Sequence, residues 1–153
     1  MQLVVGGACA GKRGLVQRWY PHARWQAQED AVRQAILPAP GETLVVSGWA
    51  AWIEAAVERG ADDDDALRLA LIERLDALRA AEAESAAQVV LIVEEMGRGI
   101  VPMGAERRRL RDLNGWLAQD AAARCERVWY VRHGLYRRLD TPGAQLGSCA
   151  ARD

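Results

Sequence analysis

The residues with the clearest chemistry lie near the start of the chain, where Gly6, Gly7, Ala8, Cys9, Ala10, Gly11 and Lys12 fit the pattern Gly-x-x-x-x-Gly-Lys. The pattern follows the apolar run Leu3, Val4 and Val5, and it precedes a segment whose Leu15, Val16 and Trp19 fall on one helical face. Strand, glycine loop and helix together make a cradle for a polyphosphate. Glycines let backbone N–H groups converge, the helix N-terminus adds positive potential, and the Lys12 ammonium is a point charge for the β- and γ-phosphates. A glycine turn that binds nothing is the plain alternative, and the residue types around this one argue against it. The position after the lysine ordinarily brings a hydroxyl to Mg²⁺, and here it holds Arg13. A fixed positive charge stands where a metal ligand is expected.

The other metal position is altered as well. The buried-type strand over residues 43–46 ends at Ser47, where a carboxylate would be expected to reach the metal. Glu94 and Glu95 follow the most strand-like segment, residues 89–93, and so open onto the C-terminal edge of a parallel sheet, where ligands of such folds bind. Either carboxylate can hold Mg²⁺ through water or serve as the base on an acceptor hydroxyl; a solvated Glu94 and a Glu95 tied to the following glycine loop are the plain alternative. The run Asp62, Asp63, Asp64 and Asp65 suggests a metal cluster at first sight, but Asp65 is placed to cap the next helix and the rest suit its N-terminal dipole. Arg107, Arg108, Arg109 and Arg111 are flanked by Glu106 and Asp112 with no aromatic ladder, which reads as a solvated helix face and not a nucleic-acid patch. Trp49 and Trp52 sit at helical spacing and read as core before they read as stacking platforms.

These residues need a scaffold of alternating strands and helices. Helices are expected over residues 12–20, 49–59 and 105–124, with a further one carrying the stripe Leu67, Leu71, Leu75 and Leu78 and solvated positions at Arg68, Glu73 and Arg79. Residues 22–30 are ambiguous between a strand around Trp25 and the lead into a helix near 31–37, and residues 128–131 give another strand. The pattern predicts an α/β layer fold with a mostly parallel sheet. The 153 residues suffice for one domain, here residues 1–140, followed by a loosely ordered tail over 141–153. A net charge of −1 gives no sign of a nucleic-acid partner, and charged residues interrupt every apolar stretch before it could span a bilayer. With no basic leader and an odd count of three cysteines in no metal spacing, Cys9, Cys125 and Cys149, the chain reads as a cytoplasmic protein with reduced thiols.

A second set of residues carries a family resemblance. The run Glu95, Met96, Gly97, Arg98, Gly99, Ile100, Val101 and Pro102, followed by Arg111, Asp112, Gly115 and Gln119, resembles the adenosylcobinamide kinase/adenosylcobinamide-phosphate guanylyltransferase family. Together with the glycine loop, with Ser47 to Trp52 in place of that family's Asp-Cys-Leu-Thr-x-Trp, and with a closing portion around Gly134, the resemblance covers most of residues 1–140. It implies a P-loop, RecA-like three-layer fold and a homo-oligomeric enzyme of cobalamin biosynthesis or salvage. Such an enzyme takes ATP or GTP and a corrinoid, phosphorylates the aminopropanol hydroxyl of adenosylcobinamide, and then transfers GMP through a histidine. On that model Gly6 through Arg13 bind the nucleotide, and Lys12 and Glu95 are catalytic. The family's histidine lies in a His-Arg-x-Arg-Arg-Pro loop that this chain lacks. His22 is the nearest candidate, without the arginine cluster, and His133, in a later turn, fits the role worse. Beside the kinase reading stands a second one, a non-catalytic nucleotide- or corrinoid-binding homologue with a degenerate Mg²⁺ site.

Overall fold

Along the central strands successive apolar side chains point to opposite faces, so the sheet they build must be covered on both sides. The structure, a computed structural model, describes residues 1–27, 37–96 and 104–139. Among these, β1 (Gln2–Gly6), β2 (Arg24–Ala27), β3 (Thr43–Ser47), β4 (Gln88–Glu94), β5 (Arg127–Arg132) and β6 (Leu135–Leu139) form one six-stranded sheet in the order β2-β3-β4-β1-β5-β6. The first five strands are mutually parallel, and β6 returns antiparallel to β5. The helices are α1 (Lys12–Trp19), α2 (Trp49–Glu58), α3 (Asp64–Ser85) and α4 (Ala105–Arg124). This is the mostly parallel three-layer P-loop architecture that the resemblance implies.

The alternation sorts the core into two layers. Leu3, Leu44, Val46, Leu91 and Val93 face α2, α3 and α4, whereas Val4, Val45, Val90 and Ile92 face Leu15 and Val16 of α1. Trp49 lies inside the first layer at 1% exposure and is core, with no face open to a ligand. Leu67, Leu71, Leu75 and Leu78 are buried as their spacing predicts. Fully burying each is worth about 2 kcal/mol of transfer free energy, while a surface ion pair adds at most about 1 kcal/mol, so the leucine stripe sets how α3 sits.

Three details differ from the sequence expectations. The cap of α3 is Asp63, whose carboxylate accepts from the Ala66 N–H at 3.0 Å, and Asp65 instead lies in the first turn, where the helix dipole favours it. Arg68 is tied to α4 by a bidentate pair with Asp120 at 2.9 and 3.0 Å, and Arg109 is bound to Asp64 at 2.5 Å. Those two arginines join helices. The ambiguous segment holds the strand β2, and the closing portion is a hairpin turning at His133 and Gly134. The helix expected near 31–37, apart from Leu37, the glycine-rich run 97–102 and the tail 141–153 lie outside the described residues. No helix among the described residues is long and apolar enough to cross a membrane.

Candidate functional site

Because β1 to β5 are parallel, their C-terminal ends share one edge, and the loop after β1 is built there by its neighbours. A Cβ on Gly6 would lie 2.2 Å from the carbonyl oxygen of Val131, so only glycine lets β1 end against β5. Gly11 caps α1 in the left-handed region at φ 96°, a conformation suited to glycine. The Ala10 carbonyl accepts from the Gly134 N–H at 2.9 Å, which seats the loop on the β5–β6 turn. Cys9 adopts φ 57°, and the Ala10 N–H closes back on the Gly7 carbonyl at 3.2 Å.

Lys12 is buried at the start of α1, and its ammonium donates to the Gly6 and Gly7 carbonyls at 2.9 and 2.7 Å. Two of its three donors therefore hold the loop itself. Burial lowers its pKa, and the nearby charges of Glu94, Cys9 and Glu95 oppose that shift. A cavity of about 500 Å³ opens in front of the loop, with Lys12, Arg13, Trp25, Ser47, Gly48 and Glu94 in its wall. Gly11 and Gly48 are the N-caps of α1 and α2 and both border it, so two helix N-termini face one volume. That arrangement suits an anion. The guanidinium of Arg13 lies over the Trp25 ring, 4.9 Å from its centroid.

A second cavity of about 440 Å³ adjoins the first on the α4 side, lined among others by Glu94, Glu95, Arg111, Asp112, Asn114 and Gln119. Glu94 belongs to both walls and Glu95 to the second alone. The Tyr130 hydroxyl donates to the Glu95 carboxylate at 2.9 Å, and the Glu95 N–H donates to the Gly6 carbonyl at 2.8 Å. Asn114 is 1% exposed and donates from Nδ2 to the Glu94 carbonyl at 2.6 Å. Neither Tyr130 nor Asn114 carries a sequence signal, since Tyr130 meets Glu95 only through the strand order and Asn114 meets Glu94 only through the packing of α4 on the sheet.

The structure thus gathers Gly6, Gly7, Ala8, Cys9, Ala10, Gly11, Lys12 and Arg13 on one edge with Ser47, Glu94 and Glu95. The Ser47 hydroxyl donates to the Gln26 carbonyl at 3.5 Å. No group of three or more His, Cys, Asp or Glu side chains is placed to share a metal ion among the described residues. The two histidines exchange rank. His22 precedes β2 and so lies at the opposite edge of the parallel sheet, whereas His133, at φ 53°, sits in the turn that carries the phosphate loop. Strand direction, and not distance along the chain, makes that difference.

Comparison with known proteins gives concordant matches. The family model described as cobinamide kinase / cobinamide phosphate guanyltransferase matches residues 12–139. The bifunctional adenosylcobalamin biosynthesis protein CobU of Escherichia coli (strain K12) is 28% identical over 131 residues, covering 81% of this chain and 71% of that protein. The protein of the same name from Salmonella typhimurium is 36% identical over 84 residues, 55% of this chain and 41% of the relative. The bifunctional adenosylcobalamin biosynthesis protein CobP of Pseudomonas aeruginosa is 42% identical over 67 residues, 41% of this chain and 39% of the relative. The last two matches span about two fifths of the relatives' own length.

Proposed function

Since the chain belongs to the cobinamide kinase / cobinamide phosphate guanyltransferase family, we propose that it is a nucleotide-dependent transferase. It moves the γ-phosphoryl group of ATP or GTP onto the aminopropanol hydroxyl of adenosylcobinamide. The observation that supports this reading is the shared wall: Glu94 borders both the cavity in front of the glycine loop and a second cavity of about 440 Å³, with room for the aminopropanol arm of an acceptor. The nucleotide phosphates lie on the loop from Gly6 to Arg13, and the acceptor hydroxyl enters from the α4 side. Its oxygen bonds to the γ-phosphorus as the bond from phosphorus to the β–γ bridging oxygen breaks. Glu95 takes the hydroxyl proton, with Tyr130 fixing its carboxylate. Lys12 turns from the Gly6 and Gly7 carbonyls to the transferring phosphoryl group, whose charge it offsets. We place the enzyme in the cytoplasm as a homo-oligomer acting on small molecules.

The guanylyl step has less behind it, because His22 lies at the far edge and neither it nor His133, in the turn beside the phosphate loop, belongs to a His-Arg-x-Arg-Arg-Pro run. Arg13 and Ser47 favour the second reading, a homologue that binds nucleotide or corrinoid without chemistry. Transfer of labelled γ-phosphate to adenosylcobinamide separates the two. The kinase reading expects transfer that is lost in Lys12→Ala and kept in His22→Ala. Nucleotide binding with no transfer rejects it in favour of the non-catalytic homologue.

A further inference from the structure

A nucleotide site that relies on Mg²⁺ needs protein oxygen ligands close to the β- and γ-phosphates, and the two positions expected to give them hold Arg13 and Ser47. Few protein oxygens remain for the ion. Ser47 is engaged with the Gln26 carbonyl, and Glu94 is the one carboxylate in the wall of the phosphate-loop cavity among the described residues. Glu95 borders the neighbouring cavity and accepts from Tyr130. Glu94 apart, the charge that the cavity holds is cationic. The Arg13 guanidinium is braced over Trp25, and both side chains border the same volume as Lys12. Lys12, Arg13 and the N-termini of α1 and α2 together bring about three positive charges to it.

We propose that this chain binds its nucleotide without a divalent cation, with Arg13, held over the Trp25 ring, in place of the metal's charge. The proposal rests on the nucleotide-site reading above and deepens it: the preferred ligand is the free nucleotide polyanion, and Arg13 determines that preference. A guanidinium suits the task because its planar fork of donors matches phosphate oxygens while its face stays on the indole.

Calorimetric titration of the full chain with ATP and with GTP, in EDTA and in excess Mg²⁺, tests this. The proposal expects Kd values in the two buffers within about threefold of each other, or tighter binding in EDTA. Arg13→Ala then weakens binding about tenfold to a hundredfold in EDTA, the loss of one charge-assisted bond to phosphate. Arg13→Ser, which restores the hydroxyl, binds about tenfold more tightly with Mg²⁺ than without it. Arg13 is exposed, so both variants are expected to melt like the parent, and the melts are the control for folding. A parent whose affinity falls tenfold or more in EDTA, or an Arg13→Ala variant that binds like the parent, overturns the inference and leaves the phosphate-loop reading standing. A parent that binds neither nucleotide in either buffer overturns both.

Discussion

The Gly134 N–H donates to the Ala10 carbonyl at 2.9 Å, so the phosphate loop rests on a turn 124 positions later in the chain. The hairpin of β5 and β6 is therefore part of the site through its turn, by a backbone contact that no residue type in the hairpin announces.

That seating makes neighbouring glycines unequal. A Cβ on Gly6 meets the Val131 carbonyl at 2.2 Å, whereas one on Gly7 meets nothing within 4 Å. Gly6→Ala is expected to destabilise the protein by about 1–3 kcal/mol through overpacking, a fall in Tm of roughly 2–4 °C per kcal/mol. Gly7→Ala leaves Tm within about 2 °C, since a surface-like change away from packed atoms shifts stability by about 0.5 kcal/mol or less. Thermal melts of the two variants check the contrast, and equal melting points would show that β1 does not end against β5 as described.

The thiols differ in the same spatial way. Cys9 is exposed in the loop, and Cys125 is buried behind the sheet with its pKa pushed up to about 12, chiefly by loss of hydration. In a Cys149→Ser background, maleimide at pH 8 is expected to label Cys9 and leave Cys125 unmodified until the protein unfolds. Bound nucleotide is expected to slow Cys9 labelling, since Cys9 borders the same cavity as Lys12. Mass spectrometry of the labelled peptides reads both results, and labelling unaffected by saturating nucleotide would place the phosphates elsewhere.

What was legible in the sequence was local. Gly6 to Lys12 between strand and helix, the leucine stripe of α3 and the run Val89 to Val93 each declare themselves within a dozen residues, because backbone freedom and side-chain periodicity act at that range. The cap of α3 is not legible to the residue, since four successive aspartates have the same capping chemistry and only the bond from the Ala66 N–H singles out Asp63 over Asp65. The strand β6 was hidden because Leu135, Tyr136, Arg137 and Arg138 are all exposed and leave no alternation to read. Tyr130 beside Glu95 and His133 beside the phosphate loop depend on the place of β5 next to β1 in the sheet, which no local pattern encodes.

The edge strand that carries Trp25 has its own acid sensitivity. Arg24 holds Glu42 by two bonds at 2.6 and 2.8 Å, and the Ala39 N–H adds a third at 2.8 Å. The Arg24 bonds foremost, then the amide, pull the Glu42 pKa down to about 2 from an ordinary 4.5. A carboxylate whose pKa is lower folded than unfolded contributes stability that is present above its ordinary value and lost as pH falls toward the folded one. Stability is thus expected to decline from pH about 4.5 toward about 2. Glu42→Gln is expected to flatten that part of the profile and to lower stability at pH 7. Urea denaturation at several pH values gives the comparison, and parallel curves for parent and variant would mean that the pair does not titrate with folding.

Asn114 offers a way to separate positioning from binding. It is almost wholly buried on α4, donates to the Glu94 carbonyl at 2.6 Å, and leaves its Oδ1 without a hydrogen-bond partner among the described residues. It touches the strand end that presents Glu94 and Glu95, and it is not in the wall of the phosphate-loop cavity. Asn114→Leu keeps the branched shape in a larger side chain, removes the bond that fixes that strand end, and also removes the unpaired oxygen, so the two hydrogen-bond effects on stability oppose each other. Transfer should suffer more than binding, because a displacement on the order of 1 Å at a reacting group can cost about a hundredfold in rate. The expected pattern is a fall in kcat of about tenfold or more with nucleotide Kd unchanged within about threefold. Single-turnover transfer beside calorimetry measures both. A matching loss in Kd would make Asn114 a general support of the fold and remove it as the residue that aims the two glutamates.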